Sequence, residues 1–467
     1  MTTTRSDHVP SATPRERVAE IIERIRRHWT GRTVVLLVNR YGGATRALAE
    51  ELEASGARIG AVVAGSRLDP RATLASPVWN CADHGIRLSM RDFDTWLRDP
   101  APELASWLDA LDPGRSWPVI GTSYTDVPQV CGRSVNGWWR REWAQWEDKT
   151  RVDELWRQAA VPAPDHEVLP ASDANAVRAA VGRLDLGCGT VIAADASRAF
   201  LGSSKGLRWV RDAEETEEAV RHFGGTTDRV RVATFVPGTP CSILGMVLPS
   251  GVAVFEPFEI VTLGDPRTGR LLYAGSSTWW RTSPEAREAM RESTRRAGWE
   301  LAETCGYRGI YSVDGILGPE GFFATELNPR HVSGLSLWAG WPEFPVRLFN
   351  RAVQEQVPEF LDVDPVAVET AFNDVIRRNP AYTVRVPVSA VLGDQASAVR
   401  ESSLTTVTDP RPVTQRVRFE VLPDALRLLN LTPVLPDGTA APAAAALANA
   451  FGMPGLTYFP DGARHPA

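Results

Sequence analysis

The residues best placed to do chemistry lie in one stretch, GIYSVDGILGPEGFFATELNPR, at 309–330. Two β-prone runs, 309–318 and 322–327, flank Pro319, Glu320 and Gly321. Pro319 suits position i+1 of a type I turn, and Gly321 can supply the left-handed residue that closes a three-residue hairpin loop. That register sets Gly318 against Phe322, and therefore Asp314 against Glu326. Directly opposed residues share a face, with Cβ atoms roughly 4.5–5.5 Å apart. Asn328, two residues beyond Glu326, points the same way. Two carboxylates so placed repel one another unless a cation lies between them. A hard dication with oxygen ligands, Mg²⁺ first and Mn²⁺ as a substitute, answers that need. Arg330 follows two residues further on and adds a fixed cation. The plain alternative is a solvent-facing hairpin with a chance Asp/Glu pair.

Lysine is the second signal. Lys and Arg together number 51, and only Lys149 and Lys205 are lysine. A genome that favours Arg would produce this count. So would selection that kept a compact, flexible ammonium only where a guanidinium fork cannot serve, as at a point contact with phosphate. Lys149 lies in EDKTRVDELWRQAA (147–160), a predicted helix ended by VPAP. Lys205 lies in a small-residue loop, ADASRAFLGSSKG, between the predicted strands 189–193 and 207–211.

The elements that must position these groups can be read around them. Residues 14–29 place Val18, Ile21, Ile22, Ile25 and Trp29 on one helical face. Residues 33–38 (TVVLLV) are a buried strand, 44–54 a helix and 58–65 a second strand, the pattern of an α/β layer. Gly42-Gly43 reads as a tight turn, with an anion site at a helix start as the weaker option. Helices are expected at 173–183, 212–223, 284–304, near 365–377 and at 441–451. Strands are expected at 230–236, in two long runs within 242–263, and at 383–391 and 416–422. Four tryptophans between Trp138 and Trp146 are either core or a substrate wall. The domain division that follows is 1–120, 121–236, 237–350 and 351–467.

Composition sets bounds. With 467 residues the chain exceeds one ordinary domain. Hydrophobic content of 43% and charged content of 23% are those of a globular protein. A net charge of −6 argues against nucleic acid as the main partner. No apolar run approaches the ~20 residues of a membrane span, and no apolar leader follows Met1, so the cytoplasm is expected. Five scattered cysteines contain no CxxC pair and read as free thiols.

E-L-N-P-R at 326–330, twelve residues after Asp314, resembles the metal-binding end of the ATP-grasp superfamily. The start of the 147–164 segment, with Lys149 and the closing VPAP, is similar to the opening of the same fold. The resemblance covers about 145–350. It implies an α/β (α+β) ATP-grasp fold with antiparallel sheets, preceded by an α/β domain and followed by a C-terminal region. It implies that Asp314, Glu326 and Asn328 hold Mg²⁺ against ATP phosphates, that Lys149 contacts phosphate, and that Arg330 steadies the reacting carboxylate. Gly202, Ser203, Ser204, Lys205 and Gly206 would form the flap over the triphosphate, bringing backbone N–H groups to it as a nest does. Thr234, Phe235 and Val236 would read the adenine edge at the hinge. The wording RVATFVPGTPCSILG, YAGSSTWW and GYRGIYSVDG is most similar to the pheganomycin-type peptide ligases. Ala193 and Ala233 depart from the superfamily pattern, which commonly has a lysine and an acid there.

The activity implied is an ADP-forming, ATP-dependent ligation of a carboxylate to an amine, amino acid or peptide, through an acyl phosphate, in natural-product biosynthesis. Arg281 is the candidate to hold a second substrate carboxylate, and His331 the candidate base. Small-molecule carboxylate and amine substrates are the expected partners, and a homodimer the default assembly. The alternatives are a degenerate nucleotide-binding protein without turnover and an enzyme of this fold with a non-amine acceptor.

Overall fold

Val34 to Val38 are apolar at every position, so a strand there must be covered on both faces. A computed structural model describes residues 13–39, 43–66, 76–88, 92–122, 124–196, 206–332, 334, 341–387, 399–406, 413–422, 425–451, 453 and 455–458. It divides the chain into two units. One unit comprises Met1–Trp138, Leu248–Ala253 and Trp341–Val375, and the other comprises Trp139–Val247, Val254–Gly340 and Ile376–Ala467.

In the first unit the strand is β1 (Thr33–Val38) and its last five residues are buried. Helix α1 (Pro14–Trp29) precedes it, opened by a capping box between Thr13 and Glu16. Val18, Ile21, Ile25 and Trp29 are buried as the periodicity requires. Helix α2 (Gly43–Ala54) leads to β2 (Arg58–Ala64), which pairs parallel to β1. Then come β3 (Val78–Asn80), α3 (Asp92–Trp96), α4 (Pro102–Leu111), β4 (Val119–Ile120), β5 (Gln129–Val130) and β6 (Arg133–Asn136). The sheet order is β3-β2-β1-β4-β6-β5, parallel except for β5. Trp341 packs here against Phe344 and Phe372.

The second unit opens with α5 (Arg141–Ala144), a 3-10 turn at Gln145–Glu147 and α6 (Val152–Gln158). The helix expected over 147–160 is therefore shorter, and Lys149 stands in the turn before it. The cause is Asp148, whose Oδ1 accepts the Thr150 N–H and hydroxyl, both at 2.8 Å, in place of helical bonds. A four-stranded antiparallel sheet follows, in the order β7-β10-β8-β9. Its strands are β7 (His166–Pro170), β8 (Thr190–Ala194), β9 (Leu207–Val210) and β10 (Arg229–Thr234). Helices α7 (Ala174–Leu184) and α8 (Ala213–Thr226) cover one face, on Ile192, Ala194, Val230 and Val232. The alternate positions Ala193, Arg231 and Ala233 lie on the other face, with Arg231 directly opposite Ala193.

The larger sheet has the order β14-β13-β11-β15-β16. It is built from β11 (Thr239–Leu248), β13 (Phe258–Asp265), β14 (Arg270–Ser277), β15 (Gly309–Gly318) and β16 (Gly321–Asn328), with β12 (Gly251–Val254) after β11. The two long runs expected within 242–263 are thus three strands, because Glu256 and Pro257 interrupt the second. Helix α9 (Pro284–Cys305) packs on β15 and β16. Trp143 and Trp146 are 1% and 4% exposed, so they belong to the core rather than to a substrate wall. Trp143 meets Tyr307 edge-on.

A last sheet, β17-β20-β19-β18, is formed by β17 (Arg385–Pro387), β18 (Val399–Thr406), β19 (Val413–Val421) and β20 (Ala425–Thr432). Helix Ala441–Ala450 buries Ala443, Ala444, Ala445, Leu447 and Ala448 in one cluster with Val417, Phe419 and Leu428. None of the five cysteines is in a disulfide. No helix among the described residues is long and apolar enough to cross a membrane.

Candidate active site

The hairpin β15–β16 brings Asp314 opposite Glu326, but by a different route from the one the turn residues suggest. The connection has two residues, since Gly318 pairs with Gly321 and Leu317 with Phe322. Gly321 takes φ +123°, which a side chain would resist. A one-residue bulge then follows: Gly315 pairs with Ala324 and Asp314 with Glu326, leaving Thr325 as the extra residue. The shorter turn and the bulge cancel, so the carboxylates face each other and Ser312 faces Asn328.

Each carboxylate is held. Ser242, opposite Asp314 on β11, donates its hydroxyl to Asp314 Oδ1 at 2.6 Å. Asn328 Nδ2 donates to Asp314 Oδ2 at 3.1 Å and to Ser312 Oγ at 3.2 Å. Asn328 Oδ1 accepts from Arg330 Nη2 at 2.8 Å. Lys149 Nζ donates to Glu326 Oε2 at 2.5 Å. Arg330 Nε lies 2.6 Å from Glu147 Oε1, and its Nη2 donates to Glu147 Oε2 at 3.4 Å. The turn 147–149 therefore sets Glu147 on Arg330 and Lys149 on Glu326.

The electrostatics follow from burial and these pairings. Burial, then the facing Glu326 charge, push Asp314 up to about 6, against the hydroxyl bonds it accepts. Burial also raises Glu326, but the Lys149 charge and hydrogen bond outweigh it and hold Glu326 below the usual carboxylate value. Burial pushes Glu147 up to about 7, opposed by Arg330. Two opposed carboxylates, one of them destabilised as an anion, suit a hard dication, and the Asn328 amide would have to turn its oxygen from Arg330 toward them to join its shell. Among the described residues no group of three His, Cys, Asp or Glu side chains forms a metal site, so any such ion would need Asn328 and outside oxygens to complete its shell.

The remaining expected residues are spread more widely. Gly202, Ser203, Ser204 and Lys205 lie outside the described residues. Gly206 is buried at the start of β9, its carbonyl accepting the Ala194 N–H at 2.9 Å. Thr234 ends β10, its N–H on Asp165 O and its hydroxyl on Leu184 O. Phe235 lies just past the strand, its N–H on Gly189 O and its ring stacked on Trp209 at 4.8 Å, and Val236 follows. Arg281 is exposed, with Nη1 donating to the carbonyls of Thr278 and Trp280 at 2.8 and 2.9 Å. The described bonds of its guanidinium thus go to its own turn, not to Asp314 or Glu326. His331 follows Arg330 and lends its carbonyl to Nη1 at 3.4 Å.

Three polar positions that pair with the expected site residues or lie opposite one escaped the sequence reading. Glu147 and Ser242 carry no motif, and their roles depend on pairings across the fold. Arg231, opposite Ala193, puts a cation on the strand face where the family pattern led to a search for lysine. Its guanidinium makes two bonds to Asp153, at 2.6 and 2.8 Å.

No protein-family model matches the chain, and no curated protein matches its sequence. Solved structures do match. N5-carboxyaminoimidazole synthase from Aspergillus clavatus, in complex with ADP and 5-aminoimidazole ribonucleotide, superposes with a TM-score of 0.52 at 11% identity, over 86% of this chain and 94% of that one. Its ATP complex gives a TM-score of 0.51 at 10% identity, with the same coverage. An L-amino acid ligase from Bacillus licheniformis gives a TM-score of 0.50 at 15% identity, over 85% and 93% of the two chains. The class these likenesses define is a fold: mixed helix and antiparallel sheet, as in the ATP-grasp ligases. This chain has the ATP-grasp fold.

Proposed function

We propose that the chain is an ATP-dependent, ADP-forming ligase that activates a carboxylate as an acyl phosphate and passes it to an amine. The observation that carries this reading is the ladder across β15 and β16. Asp314 and Glu326 face each other there, and Lys149, Asn328, Arg330 and Glu147 fix the charges around them. ADP and ATP bound to structural neighbours support a nucleotide in this fold.

Asp314, Glu326 and Asn328 would hold Mg²⁺ or Mn²⁺. Bound there, the ion supplies positive charge that neutralises the ATP phosphates. The protein's own residues account for the rest. Lys149 stands at the phosphate end, where its ammonium can move from Glu326 to a phosphate oxygen. Arg330 directs its fork to the carboxylate being phosphorylated, and stabilises charge that spreads over the transferring group. Residues 202–206 would close over the triphosphate and keep water from the acyl phosphate. Backbone at Thr234 to Val236 would meet the adenine edge. Holding carboxylate and amine in one cleft supplies further acceleration. The parts of 121–236 and 237–350 that lie in the second unit would then be the two lobes of the site. The Bacillus licheniformis neighbour, named as an L-amino acid ligase, favours an amino acid as one substrate and amide-bond formation as the outcome. A role in natural-product biosynthesis fits the phrases shared with pheganomycin-type ligases.

ADP release with Mg·ATP, measured against single and paired pools of amino acids and short peptides, tests the reading. Release that needs both a carboxylate and an amine supports it. Release with no substrate added, or at the full rate with a component that lacks either a carboxylate or an amine, contradicts it.

A further inference from the structure

We propose that Ser242 is a positioning residue that sets the cation preference of the carboxylate pair, an assignment that rests on the ligase reading above. The case starts from strand order. β15 lies between β11 and β16. Ser242, Asp314 and Glu326 therefore form one row on one face of that sheet, with Asp314 in the middle. The two oxygens of Asp314 are drawn apart along this row. Oδ1 accepts the Ser242 hydroxyl at 2.6 Å, on the β11 side. Oδ2 accepts Asn328 Nδ2 at 3.1 Å, on the β16 side, where Glu326 also stands. A cation between Asp314 and Glu326 is thus offered Oδ2 alone, because Oδ1 is turned to the opposite strand. Mg²⁺ is small, demands near-octahedral geometry and keeps several waters, so one oxygen from a carboxylate suits it. Ca²⁺ takes more oxygens and gains from a carboxylate that gives both.

The backbone explains why Ser242 can hold this arrangement. It is paired to Asp314 on one side and to Phe258 on the other, and it is 2% exposed. Its neighbours Cys241 and Ile243 are buried on the opposite face of the sheet. The Asn328 bond is of another kind. Its amide shares Nδ2 between Asp314 and Ser312 and lends Oδ1 to Arg330. When that amide turns its oxygen to a cation, Oδ2 of Asp314 is released towards the same cation, while Oδ1 stays on Ser242.

Mn²⁺, the substitute for Mg²⁺, and Ca²⁺ probe the pair without knowledge of the substrate. Mn²⁺ held by the ADP complex is read from its EPR spectrum, and Ca²⁺ from its displacement of Mn²⁺, in wild type, Ser242→Ala and Ser242→Thr. Ser242→Ala frees Oδ1 to join Oδ2 and should lower the preference for Mn²⁺ over Ca²⁺ about fivefold or more. Ser242→Thr keeps the hydroxyl and should keep the wild-type preference. If Ser242→Ala does not fold, Ser242→Cys carries the test: its thiol is a weak donor, so the preference should fall, though by less. An unchanged preference in Ser242→Ala, or in Ser242→Cys where that variant carries the test, overturns the assignment. That holds even if both affinities fall together, which is what lost support for the sheet alone would give. A Ser242→Thr protein that loses the preference as Ser242→Ala does overturns it too. A wild type that binds no Mn·ADP overturns the ligase reading itself, and the assignment with it.

Discussion

Replacing Lys149 with Met removes the ammonium that lies 2.5 Å from Glu326 Oε2 and leaves the stem that packs beside it. A hydrogen bond to a charged group contributes about 1.5–3 kcal/mol. The Lys149 and Glu326 side chains are 17% and 31% exposed, so water screens the pair and the lower end of that range applies. A loss of about 1.4 kcal/mol is a tenfold change in an equilibrium constant. Mg·ADP affinity should therefore fall about tenfold in Lys149→Met, with a folding cost on the order of 1 kcal/mol. The effect should also depend on pH. Lys149 is the main influence holding Glu326 below the usual carboxylate value. Without it, burial raises Glu326 towards Asp314, itself at about 6. The pair then retains a proton near pH 6 that a bound cation must displace, so the defect should be larger at pH 6 than at pH 8. Calorimetric titration of Mg·ADP at both pH values measures this. Affinity unchanged within twofold at both would refute the placing of Lys149 at the phosphates.

Other expectations follow from buried charges elsewhere in the same unit. Asp153→Ala strands Arg231, which is 5% exposed, and should cost about 3–5 kcal/mol in urea unfolding. Glu259 accepts the N–H groups of Ala440 and Ala441, at 2.7 and 3.0 Å, at the start of helix Ala441–Ala450. Burial nevertheless pushes it up to about 7. The folded state then binds the proton more tightly than the unfolded chain. Its contribution is complete below about pH 4.5 and is lost as pH rises through about 7. Unfolding midpoints should show wild type losing stability relative to Glu259→Gln between pH 5 and pH 8; parallel curves would contradict this.

Much of the scaffold was legible because periodicity and breakers are local signals. Helix 14–29 and strand 33–38 appear with the expected bounds, and Pro284–Cys305 within one residue. The Asp314–Glu326 pair was also foreseen, although the turn is shorter and Thr325 bulges. Turn chemistry alone does not reveal a bulge at Thr325, five residues beyond the turn. Strand Val399–Thr406 was missed because VRESSLTT lacks an apolar alternation. Lys149 was read into a helix because Asp148 competes for backbone bonds through its side chain, which a helical pattern does not show. Glu147 and Ser242 were illegible for a different reason. Each acts on a residue far along the chain, and only the folded sheet brings them together.

The central claim is that a carboxylate oxygen is phosphorylated by ATP. It is tested most directly by following ¹⁸O from a pool of [¹⁸O]carboxylate-labelled amino acids into orthophosphate, with wild type beside Glu326→Gln. An acyl phosphate attacked by an amine leaves one carboxylate oxygen on the phosphate. The account predicts singly labelled phosphate in step with ADP and amide product, and neither in Glu326→Gln. ADP and unlabelled phosphate formed together would mean hydrolysis or transfer by another route, and would contradict it.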